Sequence, residues 1–141
     1  MRSLPPSSEP VPRPLRRPHD VLPNLSTAIY GGADLFLMPS ISEPCGLSQM
    51  IAMRYGTIPV VRETGGLRDS VVPYNKFTGE GTGFSFANIN VQEMTGVLSE
   101  AVNLYHRAQG VKAQKNAMTA DFSWEKSAKA YEEIYGWVTG K

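Results

Sequence analysis

The segment that most restricts the fold is "DLFLMPSISEPCGLSQMIAMRYGTIPVV", residues 34–61. "DLFLMP" is a continuously apolar run of strand length, as expected of a central strand covered on both faces. "LSQMIAMRYG" repeats Leu47, Met50, Ile51 and Tyr55 at helical spacing, with Gly56 to close it. "TIPVV" is a second apolar run, rich in β-branched residues. Strand, helix and strand at this spacing make a βαβ unit, which sets two strands parallel with a right-handed crossover. The expected class is α/β with a parallel sheet.

The flanks extend this pattern. "NLSTAIYGGA" reads as a short helix with apolar Ile29 and Tyr30, stopped at Gly31-Gly32. "RETGGLRDSVVPYN" reads as a glycine turn and a short helical turn, "FTGEGTG" as a loop, and "GFSF" as a short strand. Asn90 with Glu93 forms a capping box. The helix beyond it carries Met94, Val97, Leu98, Ala101, Val102 and Tyr105 on one face. Residues 111–119 suggest a weaker helix. Ser123 caps a last helix whose Trp124, Ala128, Tyr131, Tyr135 and Val138 make a single apolar stripe.

Composition sets the outer limits. The chain has 141 residues, 41% of them hydrophobic and 19% charged, the balance of a soluble globular protein. A net charge of +1 gives no reason to expect nucleic acid or an anionic membrane surface as partner. No apolar run is long enough to span a membrane, and residues 1–24 lack the apolar core of a signal peptide. The single cysteine excludes an internal disulfide and fits a reducing compartment, so the expected location is cytoplasmic.

Residues 1–24 differ from the remainder. They hold seven of the eleven prolines and four of the fourteen Lys and Arg residues. Proline locks φ and removes a donor, so a Pro/Arg-rich disordered or foreign leader is expected at 1–24, followed by one domain at 25–141. A helical transit peptide is opposed by Pro12, Pro14 and Pro18.

Chemistry belongs at the strand-to-helix junction, "SEPCG". In open parallel sheets, ligands bind beyond the carboxyl ends of the strands. The helix start at Leu47 and Ser48 offers unpaired N–H groups and a partial positive charge, which favour a phosphate. Gly46 lets a ligand approach the backbone. Glu43 sets a carboxylate beside that cradle, where a hydroxylated group is its natural partner. A sugar phosphate or nucleotide-sugar fits both. Each residue also has a plainer reading: Glu43 as an exposed loop acid, Cys45 as a small buried hydrophobe, Gly65-Gly66 as a turn. His19 and His106 lack ligand spacing, and no metal role is expected of them.

"IYGGADLFLMPSISEPCGLSQMIAMRYGTIPVVRETGGLRDSV" resembles the C-terminal domain of bacterial glycogen synthases and plant starch synthases. The likeness runs from about Ile29 to Trp137. It is most specific at "EPCGLSQ", "RYGTIPVVR" and "TGGLRD", and "DFSWEKSAKAYEEIY" is similar to the family's last helices. It implies a partial Rossmann-like sheet, the C-terminal portion of the second domain of a B-type glycosyltransferase. It also implies a retaining transfer of glucose from ADP-glucose to the end of an α-1,4-glucan, without metal or cofactor. By the same resemblance, Glu43 is the acid that bonds the donor glucose and supports charge near the anomeric carbon. Cys45 and Gly46 meet the glucose hydroxyls through their N–H groups, and Leu47 and Ser48 hold the diphosphate. Broader relatives place a ribose-binding acid where this chain has Ile51, and the synthase branch also lacks it.

The family's N-terminal domain and its Arg/Lys pair for the diphosphate have no counterpart in the 141 residues. Thr64–Leu67, "TGGL", is a different motif, and Ala28 stands where a basic residue is usual. These departures fit a truncated or frame-shifted gene, whose product is active only within a complete enzyme. Two other readings stay open: a stand-alone nucleotide-sugar or glucan binding module, and a non-functional gene fragment. A plant source would move the expected location to the plastid.

Overall fold

A computed structural model describes residues 23–140, which contain six helices and three strands. The expected leader at 1–24 lies almost wholly outside the described residues. Helix α1 (Pro23–Gly32) leads into strand β1 (Leu35–Met38), helix α2 (Ser48–Arg54) and strand β2 (Ile58–Arg62). A single helical turn, α3 (Gly66–Ser70), and strand β3 (Phe84–Phe86) follow. Helices α4 (Val91–Tyr105), α5 (Ala108–Thr119) and α6 (Trp124–Thr139) complete the chain.

The strands form one parallel sheet in the order β1-β2-β3, with Leu35 opposite Ile58 and Val60 opposite Phe84. The expected strand, helix, strand unit is therefore present and parallel. Its central strand is β2, however, and not β1. β2 is buried along almost its whole length, whereas β1 has one neighbour among the described residues and is only half buried. Continuous apolar sequence records burial on two faces, and it does not record whether a second strand lies alongside.

β2 serves two cores, because its side chains alternate. Ile58 and Val60 join Tyr74, Phe84, Ala101, Leu104 and Ala113 on one face. Val61 joins Met53, Leu67, Val71 and Ala117 on the other. Pro59 is unusual for a central strand, since it donates nothing to a ladder. Ile58 N–H donates to Asp34 O at 3.1 Å. Position 59 therefore faces the opposite side, where β3 begins only opposite Val60. The missing donor falls at the very start of the β2–β3 pairing, where Gly83 lies close against Pro59.

The helices differ from their sequence patterns in instructive ways. In α2 the buried residues are Gln49, Ala52 and Met53, while Leu47, Ile51 and Tyr55 are exposed. In α4, Ala101 and Leu104 are buried, and Val102 is exposed. The Asn90 cap is as expected: its side chain accepts from Glu93 N–H at 2.7 Å. α5 is longer than the expected 111–119 and puts Gly110, Ala113 and Ala117 into the interior. Ser123 caps α6, as expected, but no α6 residue is buried. Its stripe stands in solvent, with Trp124 87% and Val138 78% exposed.

Candidate functional site

The carboxyl ends of all three strands open onto loops, and the longest of them joins Met38 to Ser48. Arg62, the last residue of β2, anchors that loop. Its Nη1 donates to Ile41 O at 2.7 Å and Ser40 O at 3.3 Å, and its Nε donates to Ala87 O at 3.3 Å beyond β3. One guanidinium thus gathers the loops after β1 and β3 around the end of β2.

A second tie runs between the two glycine motifs. Gly66 N–H donates to Glu43 O at 3.1 Å. A Cβ built on Gly66 would lie 1.8 Å from Cys45 O, and one on Gly65 would lie 2.1 Å from Glu43 O. Gly65 also has φ +45°, in the left-handed region that suits glycine. Gly65-Gly66 is therefore more than the turn it resembles in sequence. It is the floor on which residues 43–45 lie, and only a chain without side chains can approach so closely.

The candidate residues fall together on this floor. Glu43 is half buried, and among the described residues its carboxylate has no hydrogen-bond or ion-pair partner. Cys45 is exposed, which corrects the expectation of a buried hydrophobe: its backbone lies against Gly66, and the thiol is left outside. Gly46 is buried with φ +76°. Leu47 occupies the cap position of α2 with φ −106° and gives no side-chain cap, and Ser48 begins the helix. Among the described residues, the backbone N–H groups of 45–48 find no acceptor. An acid beside a row of unspent donors can receive a group that is anionic at one end and hydroxylated at the other.

The larger hollows lie elsewhere. One of about 630 Å³ runs between α2 and Thr119–Ser123, and meets the site only at Leu47. Another, of about 670 Å³, lies along α4 near Lys76 and Arg107. Neither is lined by Glu43, Cys45 or Gly46. The candidate site is an open shelf rather than an enclosed cavity. Among the described residues no group of three His, Cys, Asp or Glu side chains is placed to hold a metal ion.

The parallel α/β sheet is part of a glycosyltransferase domain of the B type, as its family and its structural likeness show: the chain belongs to the family of glycosyl transferases group 1, whose model matches residues 15–118. Within that family it is similar to glycogen synthases. It is 61% identical over 112 residues to the glycogen synthase of Fusobacterium nucleatum, a stretch covering 79% of this chain and 24% of that protein. It is 57% identical over 113 residues to the glycogen synthase of Clostridioides difficile, with the same two shares. Among solved structures, the catalytic domain of starch synthase IV from Arabidopsis thaliana, bound to ADP and acarbose, matches with a TM-score of 0.69 and 43% identity. That match covers 83% of this chain and 25% of the other. The chain thus spans about a quarter of the length of these relatives.

Three residues of the arrangement were not singled out in the sequence: Arg62, Gln49 and Ser70. Gln49 carried the clearest signal, as a polar residue among Leu47, Met50, Ile51 and Met53.

Proposed function

We propose that the chain carries the C-terminal part of the donor-binding domain of a glycogen/starch synthase, a retaining glucosyltransferase that moves glucose from ADP-glucose to the non-reducing end of an α-1,4-glucan. The observation that carries this reading is the shelf itself. Glu43 stands beside four consecutive N–H groups without acceptors among the described residues, in a chain 54–61% identical to several glycogen synthases. The roles divide by charge. Ser48 and Leu47, at the positive end of α2, hold the diphosphate as charge builds on it. Cys45 and Gly46 meet glucose hydroxyls through their main chain, and Glu43 stabilises the positive charge that develops near the anomeric carbon. Neither a metal nor a cofactor enters this scheme. The proposed setting is cytoplasmic, or plastidic in a plant, and no helix among the described residues is long and apolar enough to cross a membrane.

A graft tests the division of roles. Residues 25–140 replace the matching segment of the Fusobacterium nucleatum glycogen synthase. Transfer from ADP-glucose should persist in the graft and fall at least about 100-fold with Glu43→Ala, the scale of losing one electrostatic contact to the reacting centre. ADP affinity, read by calorimetry, should change only a few-fold. Equal losses in transfer and ADP binding would contradict the assignment of Glu43 to the sugar.

A further inference from the structure

We propose that Gln49 and Ser70 form a latch that fixes the Glu43–Gly46 loop, making them positioning residues for the nucleoside-diphosphate end of the donor. This rests on the donor-site reading above and extends it to two side chains that touch no substrate. Gln49 is fully buried, and a buried carboxamide is costly unless its groups are bonded. Both hydrogens of its Nε2 are used: one goes to Gly46 O at 2.8 Å and the other to Ser70 Oγ at 2.9 Å. Ser70 Oγ in turn donates to Gly66 O at 2.6 Å. Gly66 N–H donates to Glu43 O at 3.1 Å. The chain of bonds therefore leaves the loop at Gly46, passes through Gln49, Ser70 and Gly66, and returns at Glu43. Both ends of the loop are held by their carbonyls, and the N–H groups between and just beyond them keep no acceptor among the described residues.

The arrangement costs something that packing alone would not require. Gln49 Oε1 is buried without a partner, only 2.7 Å from where a Cβ on Gly46 would stand. An apolar side chain of the same shape would fill the space without that orphaned acceptor. What the amide adds is direction: it turns the Gly46 carbonyl inward and holds the loop in one conformation. Preorganised donors hold developing charge better than mobile ones do.

Nuclear magnetic resonance on the full chain separates this role from mere packing. The probe is ADP, and the second readout is hydrogen exchange at the Gly66 and Val60 amides. Ser70→Ala breaks the circuit with the least disturbance, Ser70→Thr restores the hydroxyl, and Gln49→Glu removes the donor to Gly46 O. In Ser70→Ala and Gln49→Glu, ADP should bind about fivefold more weakly, the worth of one ordinary hydrogen bond. Gly66 exchange should quicken while Val60 exchange stays as it was, and Ser70→Thr should recover both. Unchanged ADP affinity in Ser70→Ala would overturn the positioning role, even if the melting temperature falls. A wild-type chain giving no ADP-induced shifts would instead sink the donor-site reading. Gly66 exchange would then decide the latch by itself, with an unchanged rate in Ser70→Ala overturning it.

Discussion

Gly66 and Gly96 show how differently two glycines of one chain can behave. A Cβ on Gly66 would meet Cys45 O at 1.8 Å, and that oxygen is backbone and cannot step aside. Gly66→Ala should therefore destabilise the chain by about 2–4 kcal/mol, the range of steric and backbone lesions. Gly96 lies within α4 with nothing inside 4 Å of its missing Cβ. Gly96→Ala should stabilise by up to about 1 kcal/mol, the helix-propensity difference. Thermal unfolding of the two variants checks both signs together. Cys45 illustrates the limit of reading single residues. Its small apolar side chain suggested burial, but the close fit of its carbonyl against Gly66 leaves the thiol exposed. No partner of that thiol exists among the described residues, so Cys45→Ser in the graft should keep most transfer activity. Near-complete loss in a folded Ser variant would point to thiol chemistry. That Glu43, Gly46, Leu47 and Ser48 stand at a strand-to-helix junction was legible, because a strand end, a glycine and a helix start are local signals. The bond circuit through Gln49 and Ser70 was not, because it joins residues 21 positions apart that only the folded sheet brings together.

At the scale of elements, the junction of β3 with α4 is held by one carboxylate. Glu93 accepts from Ala87 N–H at 2.6 Å and from Asn88 N–H at 3.2 Å, and Asn90 accepts in turn from Glu93 N–H. The bond from Ala87 N–H, followed by that from the Asn88 side chain, lowers the Glu93 pKa. A depressed carboxylate contributes stability that is present above its unfolded value and lost as pH falls through its folded one. Unfolding of the wild type should therefore grow easier between about pH 5 and pH 3, and Glu93→Gln should flatten that part of the profile. Matched denaturant titrations at both pH values check it; a slope identical in the two proteins would contradict it. The capping box itself was readable from Asn90 and Glu93 alone. Which face of each helix is buried was less so. Alternating small and apolar residues on α2 allowed two apolar faces, and contact with β2 and α5 selected Ala52 and Met53. Which of the two apolar runs lies at the sheet edge was likewise not readable, since parallel neighbours come from distant sequence.

The described molecule presents an open shelf and no facing wall. Its sheet ends at β1, whose outer edge pairs with nothing among the described residues, and a free apolar edge favours association. α6 ends the described chain with its aromatic stripe exposed. Transfer needs donor and acceptor held together away from water, and orientation alone contributes roughly 7–11 kcal/mol in favourable cases. The shelf beside Glu43 is open and cannot supply that. ADP should bind the chain weakly, at millimolar concentration, about −4 kcal/mol. The central claim is that these residues are part of a transferase site, complete only within a whole synthase. Its most direct test incubates monodisperse 141-residue chain and the synthase graft, side by side, with radiolabelled ADP-glucose and glycogen. The account predicts incorporation by the graft and none by the chain beyond its Glu43→Ala control. Incorporation by the chain alone well above that control, or a folded graft without transfer, would contradict it.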